Sequence, residues 1–117
     1  MKVGIPSEIK AQESRVGLTP QSVQQLTNHG HEVLVENNAG FGAGFENADY
    51  EKAGAKIASS AADIFNDSDM IVKVKEPQPE EYHLLREGQI LFTYLHLAPL
   101  PELTDALIAS GCIAIAY

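Results

Sequence analysis

Short apolar runs alternate along this chain with segments of helical period, and that alternation restricts the fold more than any other feature. A strand, a helix and a second strand in succession carry the chain back over a sheet in the same direction, so the expected class is α/β with a doubly wound, mainly parallel sheet. The first apolar run is Lys2 to Pro6. Thr19 then offers a side-chain oxygen as N-cap, and Pro20 suits the first helical position because its missing N–H would lack a partner anyway. Val23 and Leu26 give that helix an apolar face before Gly30 stops it. His31 to Glu36 reads as the second strand, and the three glycines between Asn38 and Phe45 read as a loop. Asn47 or Asp49 caps a short helix ending near Gly54, Lys56 to Ala58 is a brief edge strand, and Ser59 or Ser60 caps a helix holding Ile64 and Phe65. Met70 to Lys75 is a strand that Pro77 must end, since proline cannot donate to a ladder. A helix is expected over Glu80 to Arg86 and a strand over Gln89 to Leu95. Pro101 opens a helix with Leu103, Leu107 and Ile108 inward, and Gly111 leads into a last strand, Cys112 to Tyr117. No charged cap or polar tail follows that strand, so the expectation is a truncated part of one Rossmann-like or flavodoxin-like domain.

Composition narrows the function. Eight Lys and Arg against sixteen Asp and Glu leave a formal charge of −8. The basic residues are dispersed, so neither nucleic acid nor an anionic membrane is an expected partner. No stretch approaches the roughly 18 apolar residues needed to cross a bilayer. Cys112 is the single cysteine and has no internal partner, and the N-terminus MKVGIPSEIK lacks the apolar core of a secretory signal. A cytoplasmic location is expected.

In open parallel sheets the ligand crevice lies outside the carboxyl ends of the strands. Three polar residues are expected there: Arg15 in the connection after the first strand, Lys75 closing the strand that begins at Met70, and His96 following the strand that ends at Leu95. Arginine grips a carboxylate through paired hydrogen bonds, a lysine ammonium holds or polarises an oxygen, and histidine exchanges a proton near neutral pH. Together they suit a small 2-oxo or 2-amino acid. Each has an ordinary alternative: a loop charge for Arg15, a solvated strand position for Lys75 beside Lys73, and a core position for His96 between Leu95 and Leu97. Gly40, Gly42 and Gly44 do not make the G-x-G-x-x-G spacing, His29 and His31 read as turn residues without a metal shell, Cys112 reads as core, and Glu80 and Glu81 read as carboxylates at a helix start.

The runs GIPSEIKAQESRVGLTP, KVKEPQPEEY and GQILFTYLHLA, with HEVLVENNAGFGAGF and ASGCIAIAY, closely resemble the alanine dehydrogenase family, and the resemblance extends from Met1 to Tyr117. It implies that residues 1–117 are the N-terminal part of a substrate domain in an enzyme that interconverts L-alanine with pyruvate and ammonia using NAD. It also implies that Arg15 holds the substrate carboxylate, that Lys75 contacts its carboxylate or carbonyl oxygen, that His96 is the general acid and base, and that the enzyme is a homohexamer. The NAD-binding domain would lie beyond Tyr117, and these residues alone would not turn over. The alpha subunit of nicotinamide nucleotide transhydrogenase shares the E-x-R-V-x-L-T-P type of opening and is the alternative, although the His96 position favours the dehydrogenase. Saccharopine dehydrogenases are more remote. A module that binds a small carboxylate or assembles without chemistry is the reading from a different class.

Overall fold

A computed structural model describes residues 1–117. Six strands, β1 (Lys2–Ile5), β2 (Glu32–Glu36), β3 (Lys56–Ala58), β4 (Met70–Val72), β5 (Ile90–Thr93) and β6 (Ile113–Ala116), form one sheet in the order β3-β2-β1-β4-β5-β6. Every pairing is parallel. Four α-helices, α1 (Pro20–Asn28), α2 (Asn47–Lys52), α3 (Ala61–Asp67) and α4 (Pro101–Ser110), make four of the five returns, and a 3-10 segment lies in the return from β4 to β5. The capping chemistry read from the sequence accounts for two of their starts, with Thr19 accepting from the Ser22 N–H and Ser60 from the Asp63 N–H. Glu46, rather than Asn47 or Asp49, is the N-cap of α2, and its backbone N–H donates to the Asp49 carboxylate.

Alternation along the strands splits the core between the two faces. Val3, Ile5, Val33 and Val35 meet Val23 of α1 and Tyr50 of α2 on one side. Ile71 and Leu91 meet Ile64 and Phe65 of α3 and Leu103 and Leu107 of α4 on the other. Each fully buried aliphatic side chain of this kind contributes roughly 1.5–3 kcal/mol, which fixes the register because a one-residue slip would turn the set outward.

Five expectations shift. The strand from Met70 ends at Val72 and the strand expected from Gln89 spans Ile90–Thr93, so Lys75 and His96 stand in loops three residues beyond their ladders. The helix expected over Glu80 to Arg86 is a 3-10 helix at Pro79–Leu84. Pro79 at its first position and a reciprocal Gln78–Glu81 capping box fix its start, and it remains a short 3-10 connector between β4 and β5. Ile108 is 75% exposed. Leu103 and Leu107 share the inward stripe of α4 at a spacing of four, and the next residue is turned about 100° away from it. Cys112 is half-buried at the margin of the second core, where β6 is an exposed edge strand, and is not a core residue.

Candidate functional site

Strands β1, β4 and β5 are neighbours, and the chain leaves all three at the same edge of the sheet. The strand order reverses between β1 and β4, which is where an open α/β sheet forms its crevice. The connection from β1 to α1 lies directly across the end of β4: a Cβ on Gly17 would come within 2.5 Å of the Val72 carbonyl oxygen. Only glycine permits that approach, and it carries the neighbouring Arg15 over the β4 end. The glycine loop backs this connection, since a Cβ on Gly42 would meet the Ser14 carbonyl oxygen at 3.0 Å. Gly42 thus packs against the connection that carries Arg15, and Gly40 against Tyr50.

Lys75 is half-buried. Its backbone N–H donates to Glu8 Oε1 at 2.9 Å, and its carbonyl accepts from Thr93 Oγ1 at 2.9 Å, which ties it to the connection after β1 and to the end of β5. Lys73 is buried at 1% exposure and is not the solvated strand position that its spacing from Lys75 allows. Its ammonium lies 3.4 Å from Glu8 Oε1 and 3.4 Å from Glu81 Oε2. Burial pushes the Glu81 carboxyl above the ordinary range, against the pull of the Lys73 charge. Glu81 is therefore one side of a buried charge cluster and not only a helix-start carboxylate.

Arg15 is exposed, and one edge of its guanidinium is occupied by the chain itself. Nε donates to Glu13 Oε2 at 2.9 Å and Nη2 to Oε1 at 2.8 Å. The end-on edge, formed by Nη1 with the second hydrogen of Nη2, remains for a carboxylate from outside. Hydrogen bonding from the Arg15 side chain holds the Glu13 carboxyl down at about 2, with the Lys75 charge adding to it. Glu13 therefore sits within the fields of both cations. A carboxyl-carbon NMR titration should give Glu13 an inflection near 2, while Arg15→Ala returns it toward the ordinary 4.5. Because the folded value is depressed, the stability this pair contributes is present above about pH 4.5 and lost as pH falls toward 2.

His96 is exposed and its φ is 51°. It is not the core histidine that its leucine neighbours allow. With Lys10, Glu76 and Tyr82 it lines a cavity of about 550 Å³ at the carboxyl edge, which neither Arg15 nor Lys75 lines. Burial raises the Glu76 carboxyl, but the Lys10 hydrogen bond, with a smaller share from His96, carries it below the usual range. Thus Arg15 is paired with Glu13, Lys75 is tied through its backbone to Glu8 and Thr93, and His96 lines a cavity that neither of the other two lines. A second cavity of about 580 Å³, lined by Lys2, His31, Glu32 and Lys56 among others, opens at the amino edge, away from these groups. Sequence reasoning missed Glu8, Glu13 and the buried role of Lys73. The first two lie in the same run as Arg15, which was the available signal.

A family model described as "Alanine dehydrogenase/PNT, N-terminal domain" matches residues 4–117. The chain is 56% identical over 117 residues to an alanine dehydrogenase of Bacillus subtilis (strain 168), and 55% identical to one of Staphylococcus epidermidis. All of this chain is covered, and it spans 31% of the length of either relative. Among solved structures, an L-alanine dehydrogenase superposes with a TM-score of 0.97 at 54% identity, over 100% of this chain and 32% of that one. A transhydrogenase from Sinorhizobium meliloti superposes with a TM-score of 0.92 at 32% identity, over 99% of this chain and 33% of that one.

Proposed function

The chain belongs to the alanine dehydrogenase/PNT N-terminal domain family, and from that premise we propose that it is the N-terminal part of the substrate domain of an NAD-dependent L-alanine dehydrogenase. The reading is carried by its higher identity to alanine dehydrogenases than to the transhydrogenase. Residues 1–117 supply the substrate side of the reaction, and the dinucleotide is held by a domain outside them. The enzyme is read as a cytoplasmic homohexamer.

In this reading the end-on edge of Arg15 takes the substrate carboxylate while Glu13 keeps the guanidinium in place. Lys75 contacts a carboxylate or carbonyl oxygen of the bound substrate. His96 accepts a proton as the amine is oxidised and as water attacks, and returns one to the leaving ammonia. NAD, when bound, supplies the hydride acceptor. The products are pyruvate, ammonium, the reduced cofactor and one proton, which His96 passes to solvent.

The test is the formation of reduced cofactor from L-alanine by a full-length enzyme carrying this domain, beside an assay of hydride exchange between two nicotinamide nucleotides. Exchange without alanine turnover would favour the transhydrogenase reading, and neither activity would favour the non-catalytic module. Within an active enzyme, Arg15→Lys should raise the pyruvate KM about ten- to a hundredfold, because a compact ammonium cannot serve Glu13 and a second carboxylate with paired bonds. An unchanged KM would place Arg15 outside the site.

A further inference from the structure

The β4 ladder ends at Val72, and the backbone beyond it must find other partners. Part of the solution comes from β5 and its continuation: the Lys73 N–H donates to the Phe92 carbonyl at 3.1 Å and the Tyr94 N–H to the Val74 carbonyl at 3.2 Å. The Tyr117 hydroxyl donates to the Lys73 carbonyl at 2.8 Å. The chain bends at residues 74 and 75, and two successive N–H groups turn to a single carboxylate. Val74 donates to Glu8 Oε2 at 3.1 Å and Lys75 to Glu8 Oε1 at 2.9 Å. The Glu8 side chain is 1% exposed, a position an ionised carboxylate occupies only when paired and hydrogen-bonded, and the Lys73 ammonium at 3.4 Å is its counter-charge.

We propose that Glu8 is a positioning residue for Lys75: its carboxylate clamps the backbone of residues 74 and 75 and so fixes where the Lys75 side chain leaves the rim of the sheet. Two acceptor oxygens are needed, because an amide in the same place offers one oxygen and sets its NH₂ against the other N–H. Glu81 touches the same Lys73 but no part of the clamp, and its other oxygen accepts from the Gln78 N–H. Glu8→Gln still leaves Lys73 paired with Glu81, so the variant keeps a balanced interior.

The proposal rests on the reading of Lys75 as a substrate contact, and the experiment separates the two. In the full-length enzyme, Glu8→Gln should raise the pyruvate KM tenfold or more with kcat within about threefold, Glu8→Asp should fall between the variant and the parent, and Glu81→Gln should leave KM within twofold. Adding Glu8→Gln to Lys75→Ala should raise KM no further than Lys75→Ala alone, since the clamp acts through that side chain. Amide exchange, which needs no substrate, should accelerate at least tenfold at Val74 and Lys75 in Glu8→Gln while β1 stays protected. Unchanged exchange at those two amides, additive KM effects, or a fall in kcat at constant KM would each overturn the positioning role. Normal loss of protection in an enzyme without pyruvate turnover would uphold the clamp and end the substrate reading instead.

Discussion

Replacing His96 by alanine in a full-length enzyme carrying this domain is expected to lower kcat by at least about 100-fold and to leave NAD affinity nearly intact. General acid and base groups contribute about 10²–10⁴-fold, and His96 is the titratable group at the carboxyl edge whose type works near neutral pH. The exposed imidazole faces the cavity it shares with Glu76 and Lys10 and is free to reach a ligand there. Its φ of 51° complicates the alanine variant, because most side chains resist that left-handed backbone. Asparagine adopts it more readily, so His96→Asn keeps the loop and removes the proton carrier. Both variants are expected to lose activity alike in steady-state alanine oxidation across pH 6 to 10, with NAD binding followed in parallel by fluorescence. Activity retained in His96→Asn would remove the histidine from the proton path. Loss of NAD affinity along with activity would point to a disturbed fold, since in the proposed reading the dinucleotide is held by a domain outside residues 1–117.

The architecture was legible because each strand and helix carries its own local signal. The alternation of Val3, Ile5, Val33 and Val35, and the Thr19 and Ser60 caps, predict elements without knowledge of their neighbours, and parallel pairing follows from the helical returns. The rim positions of Arg15, Lys75 and His96 follow from the same topology. What could not be read is what depends on sheet order and on backbone partners. Spacing puts Lys73 and Lys75 on one face, but only the placement of β4 between β1 and β5 buries Lys73. Glu8 meets amides 66 and 67 residues away, and a backbone N–H leaves no mark in the sequence. The Glu13 pairing is two residues long and was within reach of local reasoning, yet a carboxylate beside an arginine in a loop is ordinarily solvated.

Lys73→Met should be the most damaging single change to the rim, with an expected local loss of about 3–5 kcal/mol, the range for removing one member of a buried ion pair. The methionine fills similar space, so packing is not the cause. What remains is Glu8 and Glu81, two buried carboxylates with no cation between them. Of the two, Glu81 is the carboxyl that burial already raises above the ordinary range, and it would lose the opposing pull of Lys73. A folded-state value raised in this way gives stability that is full below the unfolded range near 4.5 and is lost as pH climbs through the folded value. The variant should therefore be less damaged at pH 5 than at pH 8. Amide exchange of the segment 70–81 in the full-length protein measures this directly, with an acceleration of roughly a hundred- to several-thousandfold at pH 8 and a smaller one at pH 5. Adding Glu81→Met should recover only part of the loss, because it removes one of the two carboxylates left without a cation while Glu8 still lacks its counter-charge. A small, pH-independent change in Lys73→Met would mean that water reaches the cluster and that Glu8 holds the Lys75 backbone without needing its counter-charge.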